Sequence, residues 1–276
     1  SVITPTGGTR LQTIKNYFAG FWKYRYLLQN LITRDFKLKY RRSVLGVAWS
    51  VLNPLLTCLV MFLVFDSIMK GLRGEGIPNF AGFLIIGQLL FNFFRESTTM
   101  AMESVLKNAP LLRKVYIPKY VFPLEKTCFA LVNCLFSFVA LLIVVVVTWS
   151  PISFSTALLA LYPLVMLFFF SLGIGLLLSA LYVFVRDIMH IWEVFCTLLV
   201  YGSAIFYDPR QMVGWVQAVI NLNPIYWYIT SFRSCVMWGE GLTANMLLVD
   251  FLCAAVSMGL GLFVFKKNQD KFVLYM

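Results

Sequence analysis

The chain has 276 residues, of which 60% are hydrophobic and only 13% are charged. A soluble domain carries roughly 25% charged residues, so this composition excludes an ordinary soluble protein and predicts an all-α integral membrane protein. The formal net charge is +11, but the basic residues lie beside long apolar blocks. We therefore expect the basic residues to contact membrane lipids, and we expect no nucleic acid as a partner.

Residues 10–43 are predicted to form an amphipathic interface segment, because Ile14, Phe18 and Phe21 recur on one helical face between basic residues. An ordinary surface helix is the alternative. We favour a helix lying along the inner leaflet, since no soluble core follows. The first 30 residues lack an apolar core with a small-residue cleavage site, so we expect no cleaved signal peptide.

Six apolar segments are candidates to cross a hydrocarbon layer about 30 Å thick. They cover residues 44–65, 80–104, 128–149, 154–185, 188–206 and 242–265. The second segment contains the polar run 95–99, so its second half cannot comfortably face lipid. The whole chain, residues 1–276, is treated as a single transmembrane domain, with spans one to five in 44–206, span six in 242–267 and a tail in 268–276.

The distribution of Lys and Arg predicts the orientation of the spans. Of the 23 basic residues, 18 lie in residues 1–43, in the connector 105–126, at Arg186 or after residue 265. Short cytoplasmic loops retain positive charge, so we expect both termini on the cytoplasmic side.

A specific motif begins before the first span. Residues 34–55 read RDFKLKYRRSVLGVAWSVLNPL, a basic run followed by Ser-x-Leu-Gly-x-x-Trp and Asn-Pro-Leu. Residues 108–119 read NAPLLRKVYIPK, and residues 221–224 read NLNP, with Arg233 following. Over nearly its whole length the chain resembles the permeases of type-2 ABC transporters for polysaccharide export, which serve O-antigen, capsule, teichoic acid and related glycans.

The resemblance implies the channel-forming subunit of an exporter in the bacterial cytoplasmic (inner) membrane that moves a lipid-linked cell-surface polysaccharide. It implies a homodimer that pairs with two copies of an ABC ATPase subunit. It does not distinguish between two transport mechanisms, alternating access and a continuous channel gated by ATP binding. The chain has no Gly-x-x-x-x-Gly-Lys-[Ser/Thr] loop, so we expect no catalytic residue or cofactor here and MgATP on the partner. The six cysteines form no Cys-x-x-Cys pair, and we expect no metal site.

The connector 104–119 is the candidate to contact the ATPase, and the turn between spans four and five is a second candidate. For this turn, a merely positive cytoplasmic loop is an open alternative. The candidate coupling residues are Pro110, Leu111, Arg113, Tyr116, Pro118, Arg186 and Asp187.

An exporter of glycans needs a hydrated path with polar groups and aromatic rings on which sugars stack. The candidate path residues are Trp49, Asn53, Phe91, Phe94, Arg95, Tyr201 and Tyr207. Arg95 and Glu96 either line this path or gate it at the dimer axis, or they belong to an ion pair with Glu103, Glu193 or Asp250, and the functional and structural interpretations both stay open. His190 and Glu193 share a helical face, and we favour a local hydrogen-bonded pair over a proton relay.

Residues 207–241 are rich in aromatic residues, as is typical of membrane interfaces. Pro224 should divide this segment into two short helices. The resemblance favours a re-entrant external helix pair over a surface hairpin. The candidate external-gate residues are Trp215, Asn223, Pro224, Tyr226, Trp227 and Arg233.

Small residues recur four apart in spans four and six, which allows close helix packing. They are Ser171, Gly175 and Ser179, and the pairs Ala255 with Gly259 and Ser257 with Gly261. The pattern does not distinguish packing within one chain from packing between two copies.

Three other functions were considered. A permease for drugs or other lipids would have the same features. A membrane glycosyltransferase or acyltransferase would need clustered acids, or His with acids, at a membrane face, and the sequence has one His and isolated carboxylates. A structural scaffold would have no use for the costly charges within the spans.

Overall fold

The computed structural model of this chain describes residues 10–41, 43–68, 77, 79–114, 117–148, 154–209 and 212–275. All regular structure in these residues is helical, which confirms the all-α fold class. The α-helices are α1 Arg10–Tyr40, α2 Trp49–Ile68, α3 Phe80–Lys107, α4 Ala109–Leu112, α5 Val121–Val147, α6 Phe154–Ala157, α7 Leu161–Tyr182, α8 Ile188–Gly202, α9 Gly214–Asn221, α10 Pro224–Arg233, α11 Ala244–Asn268 and α12 Phe272–Tyr275. Short 3-10 segments precede α2, α7 and α12, and a π-helix, Ser234–Trp238, continues α10.

Among the described residues, four helical segments are long and apolar enough to cross a membrane. They are Gly46–Phe65, Val121–Val147, Leu158–Tyr182 and Ala244–Lys271. The second and fifth expected spans correspond to α3 and α8, which do not meet both the length and the hydropathy criteria for a membrane span. α3 has 28 residues but contains the polar run 95–99, and α8 has 15 residues, which rise only about 22 Å.

α3 lies at the centre of the bundle and packs against α2, α5, α7, α8 and α10. Its first half is buried on nearly every side, because its phenylalanine, leucine and isoleucine side chains contact these neighbours. Asn79 begins the helix by accepting a hydrogen bond from the Gly82 N–H at 3.1 Å. The position of α3 determines which of its side chains reach the surface.

α7 and α11 form the most extensive helix pair, and glycine makes their close approach possible. A Cβ atom at Gly261 would lie 2.2 Å from the Gly173 carbonyl oxygen, and one at Gly173 would lie 2.4 Å from the Ser257 backbone. The Ser257 and Gly261 face therefore packs within the chain, whereas Ala255 and Gly259 are exposed. Ser171 and Ser179 are buried, and a Cβ added at Gly175 would meet Ala101 of α3.

The second half of α1 is docked on the bundle. Leu28 and Leu31 are buried in a cluster with Ile117, Val121 and Phe122, at the start of α5. The Lys126 ammonium donates a hydrogen bond to the Asp35 carboxylate, which ties α1 to α5. The side chains of Ile14, Phe18 and Phe21, on which the amphipathic interpretation depends, lie outside the described residues.

Residues 269–275, within the expected tail, also pack on the bundle. The Phe272 ring is fully buried and meets the rings of Phe184 and Phe265 at centroid distances of 6.0 and 5.3 Å. Lys119 of the connector donates to the Gln269 carbonyl oxygen, and burial lowers the pKa of Lys119 although Asp270 acts in the opposite direction. The connector, α7 and the chain after α11 therefore meet in one place.

We predict that Gly261→Ala weakens the packing of α7 on α11, because the added methyl group has no space against a rigid backbone. Overpacking of this kind typically costs about 1–3 kcal/mol. The matched control is Gly259→Ala on the same helix, where nothing lies within 4 Å of the added Cβ. Thermal unfolding in detergent should show a lower midpoint for Gly261→Ala alone; equal midpoints for the two variants would contradict this packing.

Candidate functional site

The exposed side chains of α3 are all polar. They are Asn92, Arg95 and Lys107, while the apolar side chains of this helix are buried or half-buried. Gln88, Asn92, Arg95 and Thr99 follow one another at intervals of four, three and four residues, so they lie on one helical face. An otherwise buried central helix thus presents a polar stripe to the outside of the bundle.

A groove of about 540 Å³ runs along this stripe between α2, α3, α5 and the end of α1. Three predicted path residues, Trp49, Asn53 and Arg95, line it together. Phe91 and Phe94 do not: both are almost completely buried, and the Phe94 ring packs on Trp192 at a centroid distance of 5.9 Å. These two rings lie in the core rather than on the groove.

A hydrogen-bonded network joins four helices on the wall of the groove. Lys39 Nζ of α1 lies 2.8 Å from Glu96 Oε1, and Asn133 Nδ2 donates to Glu96 Oε2 at 2.8 Å. Ser50 Oγ donates to Asn133 Oδ1 at 2.9 Å, and the Tyr40 hydroxyl contacts both Ser50 and Asn133. Glu96 is therefore paired with a lysine before the first span.

The proline of the Asn-Pro motif explains one further hydrogen bond between α2 and α5. Pro54 lies inside α2 and has no N–H to donate to the Ser50 carbonyl four residues earlier. Ser137 Oγ of α5 donates to that carbonyl instead, at 2.8 Å. Polar side chains of a neighbouring helix commonly satisfy backbone groups freed by proline within a membrane.

Arg95, unlike its neighbour Glu96, forms no ion pair with the described residues. In the described part of the chain, no carboxylate lies within ion-pair distance of its guanidinium, so the proposed pairs with Glu103, Glu193 and Asp250 are not formed. Arg95 is exposed on the α3 stripe. An isolated arginine near the middle of a membrane costs about 2.5–3.5 kcal/mol on insertion scales.

α8 carries a second polar stripe. His190, Glu193, Thr197 and Tyr201 are exposed and follow at intervals of three, four and four residues. His190 and Glu193 share this face as expected, but no hydrogen bond between their side chains occurs among the described residues. The apolar exposed residues of α8 occupy a different sector, which includes Ile191, Val194 and Leu198.

The stripes of α3 and α8 are neighbours. Trp192 Nε1 of α8 donates to Thr98 Oγ1 of α3 at 3.2 Å, and Arg95 and Glu193 both lie within electrostatic range of Cys196. We term the combined surface the polar face. It consists of Gln88, Asn92, Arg95 and Thr99 of α3 and of His190, Glu193, Thr197 and Tyr201 of α8.

The polar face cannot lie stably against hydrocarbon, because amides and charges there would lose their hydrogen bonds to water. It requires water or another polypeptide. Tyr201 and Tyr207 lie at one end of it, where the Tyr207 hydroxyl donates to the Tyr201 carbonyl at 2.6 Å. The arrangement can provide polar groups and exposed aromatic rings, Trp49 and Tyr201, along a water-filled surface.

All candidate coupling residues except Tyr116 lie among the described residues. α4 carries Pro110 in its first turn, Leu111 is half-buried and Arg113 follows the end of the helix in an exposed position. Pro118 precedes α5, next to the buried Ile117. Tyr116 lies outside the described residues. Arg186 and Asp187 are exposed in the tight turn before α8, as expected for a surface loop.

Pro224 divides the predicted external segment into two helices, α9 and α10, as predicted. Asn223 begins α10 by accepting from the Ile225 N–H at 3.0 Å, and its amide donates to Gly202 O at 3.0 Å and Ser203 Oγ at 2.9 Å. Trp215 is exposed on α9. Tyr226 and Trp227 are half-buried and their rings pack edge to face, with centroids 5.9 Å apart.

Arg233 is almost fully buried and holds three segments together. Its guanidinium donates to the backbone oxygens of Ala204 at 2.9 Å and Phe83 at 2.7 Å and lies over the Phe83 ring at 3.3 Å. A Cβ at Gly87 would lie 2.5 Å from Nη2, so any other residue at this position would displace the guanidinium. Arg233 therefore positions α10 and does not face an open surface.

Several residues of this site were missed by the sequence reasoning. Lys39, Ser50, Asn92, Asn133 and Thr197 were not singled out, although each is a polar residue within or next to an apolar segment. Helical periodicity would have found Asn92 with Arg95 and Thr197 with Glu193. The Lys39–Glu96 pair is separated by 57 residues and required the tertiary structure.

The pattern of the family described as ABC-2 type transporter matches residues 26–237. The chain is 28% identical over 261 residues to the O-antigen export system permease protein RfbA of Myxococcus xanthus, covering 91% of this chain and 95% of that protein. The protein of the same name from Klebsiella pneumoniae is 26% identical over 250 residues, covering 89% and 93%. The capsule polysaccharide export inner-membrane protein CtrC of Neisseria meningitidis is 22% identical over 239 residues, covering 85% and 88%.

We predict that Thr197→Cys reacts faster than Leu198→Cys with a membrane-impermeant thiol reagent, in a background without the six native cysteines. The two positions are adjacent and both exposed, but only Thr197 lies on the polar face. Because the reactive thiolate forms in water and not in hydrocarbon, we expect a difference of about tenfold or more in membranes. Equal rates would contradict a hydrated polar face.

We also predict that Arg233→Met destabilises the protein, because the Ala204 and Ile205 carbonyls would lose their donors in a buried position. Losing hydrogen bonds to a charged group should cost about 3 kcal/mol. The control is Arg186→Met, which removes an exposed guanidinium and should leave the midpoint of thermal unfolding unchanged. A normal midpoint for Arg233→Met would show that these contacts contribute little.

Proposed function

This chain belongs to the ABC-2 type transporter family, and from that premise we propose that it is the transmembrane permease subunit of an ATP-driven exporter of lipid-linked cell-surface polysaccharide. Its relatives from three organisms are named as permeases or inner-membrane proteins of O-antigen or capsule export. The relatives match nearly from end to end, so the proposal concerns the whole described bundle rather than one part of it.

The observation that carries this proposal is the polar face on helices that are otherwise apolar. A polysaccharide is hydrated, yet the flat faces of its sugar rings are apolar and stack on aromatic side chains. The polar face combines amide and charged groups with the exposed ring of Tyr201, and the exposed ring of Trp49 lines the same groove as Asn92 and Arg95. These groups match the needs of a glycan better than those of a lipid tail, which would require an apolar groove.

The polar face also supports the proposed assembly. In a single copy it would face lipid, whereas in a homodimer two such faces could enclose a hydrated path. In this arrangement α3 and α8 cross the membrane with the four apolar spans, giving six crossings. Their polar stripes are compatible with membrane burial because they face water and not lipid. The protein would lie in the bacterial cytoplasmic (inner) membrane with both termini cytoplasmic, in agreement with the distribution of Lys and Arg.

ATP would be bound and hydrolysed, with Mg²⁺, on two copies of a separate ABC ATPase subunit. We propose that the connector 104–119 receives their motion. Its described residues pack on α1 through Ile117 and on the chain after α11 through Lys119. A displacement of the connector would therefore move α1, whose Lys39 contacts Glu96 on the wall of the groove.

We propose that α9 and α10 form the external re-entrant pair. α10 is deeply packed: Tyr228 and Ile229 are fully buried, and the Phe232 ring stacks on Phe138 of α5 at a centroid distance of 5.6 Å. α10 has 10 residues and the π-helix that continues it has 5, which together rise only about 22 Å. This is too short to cross the hydrocarbon layer, so we expect the segment to return on the same side. α9, in contrast, is exposed over most of its length.

The function is tested by reconstitution in vesicles that contain the lipid-linked glycan of the native cell. Export should require this chain, the ATPase subunit and MgATP together. Export by this chain without the ATPase subunit, or no export by the complete complex, would refute the proposal.

We predict that Arg113→Ala combined with Tyr116→Ala lowers ATP-dependent export by about tenfold, the equivalent of losing roughly 1.4 kcal/mol of coupling. The control is Lys266→Ala combined with Lys267→Ala, two exposed residues at the end of α11. ATPase activity and co-purification of the ATPase subunit are measured in both. If the first pair changes neither assembly nor ATPase activity nor export, the coupling element lies elsewhere.

A further inference from the structure

A second cavity, of about 760 Å³, lies along the second half of α1, and its lining comes from this helix and the residue that follows it. Its lining residues are Asn30, Thr33, Arg34, Lys37, Leu38, Tyr40 and Arg41. Three of them are basic and follow at intervals of three and four residues, so Arg34, Lys37 and Arg41 form one stripe along α1. The stripe spans about 10 Å from Arg34 to Arg41.

The positive charge of this cavity is neutralised only in part, because Arg34 is the one of its three basic residues that pairs with a carboxylate of the described residues. Asp35 faces the bundle and binds Lys126, and its Oδ1 also lies 3.1 Å from Arg34. Burial raises the pKa of Asp35, but Lys126 and Arg34 outweigh it and hold the pKa below its ordinary value, so this carboxylate stays ionised in place. The Lys37 and Arg41 side chains make no ion pair or hydrogen bond with the described residues.

The chemistry of the cavity suits a phosphate group. A guanidinium fork and an ammonium group are the side chains that bind phosphate oxygens most strongly. Each Lys or Arg on the cytoplasmic side of a membrane span contributes to the attraction of anionic lipid head groups. The Thr33 hydroxyl and the Asn30 amide also belong to the lining and can donate further hydrogen bonds.

The basic cavity adjoins the groove between α2, α3 and α5. Tyr40 lines both cavities, so they meet at this side chain. Lys39, the neighbouring residue, points to the other side and pairs with Glu96 on the groove wall. A molecule with a phosphate in the basic cavity would therefore place the group attached to that phosphate at the beginning of the groove.

We propose that the stripe Arg34, Lys37 and Arg41 binds the phosphate that links the lipid to the glycan in the exported substrate, and so places the first sugars at the groove. This inference rests on the proposed function and makes it more specific. The lipid would remain in the inner leaflet, beside α1, while the glycan lies in the groove.

The test uses the permease–ATPase complex in phosphatidylcholine nanodiscs, with farnesyl diphosphate as the probe and inorganic pyrophosphate as competitor. The variant is Lys37→Gln with Arg41→Gln. The control is Lys266→Gln with Lys267→Gln, which removes the same charge from another exposed site. We expect the affinity for the probe to fall about tenfold, or roughly 1.4 kcal/mol, in the variant and to change little in the control. Pyrophosphate should displace the probe.

Three outcomes would overturn the inference. The first is an equal loss of affinity for the probe in variant and control, and the second is an unchanged affinity in the variant. The third is that phosphatidylglycerol in the nanodiscs displaces the probe as well as pyrophosphate does. The second outcome, combined with loss of the ATPase subunit, would assign the stripe to a protein partner. Size-exclusion chromatography checks folding, and the single substitutions Lys37→Gln and Arg41→Gln replace the pair if it fails to fold.

Export by the wild-type complex is measured in parallel, so that the two proposals fail separately. If the wild type exports glycan and the variant binds the probe normally, the inference about the cavity is wrong and the proposed function stands. If the wild type does not export glycan, the proposed function is wrong whatever the probe shows.

Discussion

The structure depends on one constraint, which is that polar side chains on membrane helices must find water, a partner or a backbone group. α3 meets this constraint in two ways. Its apolar surface is buried in the centre of the bundle, and its polar stripe, with Asn92 and Arg95, is left at the surface. Because α8 places its own polar residues beside this stripe, the two helices together form a continuous face that hydrocarbon cannot solvate.

The same constraint explains how the helices are held together. Pro54 leaves the Ser50 carbonyl without its helical donor, and Ser137 of the neighbouring helix supplies one. Arg233 satisfies the carbonyls at the end of α8, and glycine at position 87 leaves space for its guanidinium. In both places a local defect in backbone hydrogen bonding is repaired by a side chain from elsewhere, and the repair fixes the relative position of two elements.

α1 connects the parts of the molecule that the proposed function needs to connect. Leu28 and Leu31 pack against the end of the connector, and Lys39 reaches the wall of the groove. The buried pair of Asp35 and Lys126 lies between these contacts and ties α1 to α5. In the proposed exporter a single rigid helix would thus relate the ATPase-facing connector, the basic cavity and the start of the polar groove.

The sequence alone determined the helical class, the membrane environment, the division of α9 from α10 at Pro224 and the polar character of the second span. These features follow from composition, local periodicity and the missing N–H of proline, which act over a few residues. The tertiary structure decided which sides of the helices are buried. It placed Phe91 and Phe94 in the core, enclosed Arg233 among backbone carbonyls and paired Glu96 with Lys39. Such contacts join residues far apart in the chain, and no local pattern specifies which of several charged or aromatic groups will meet when the helices pack.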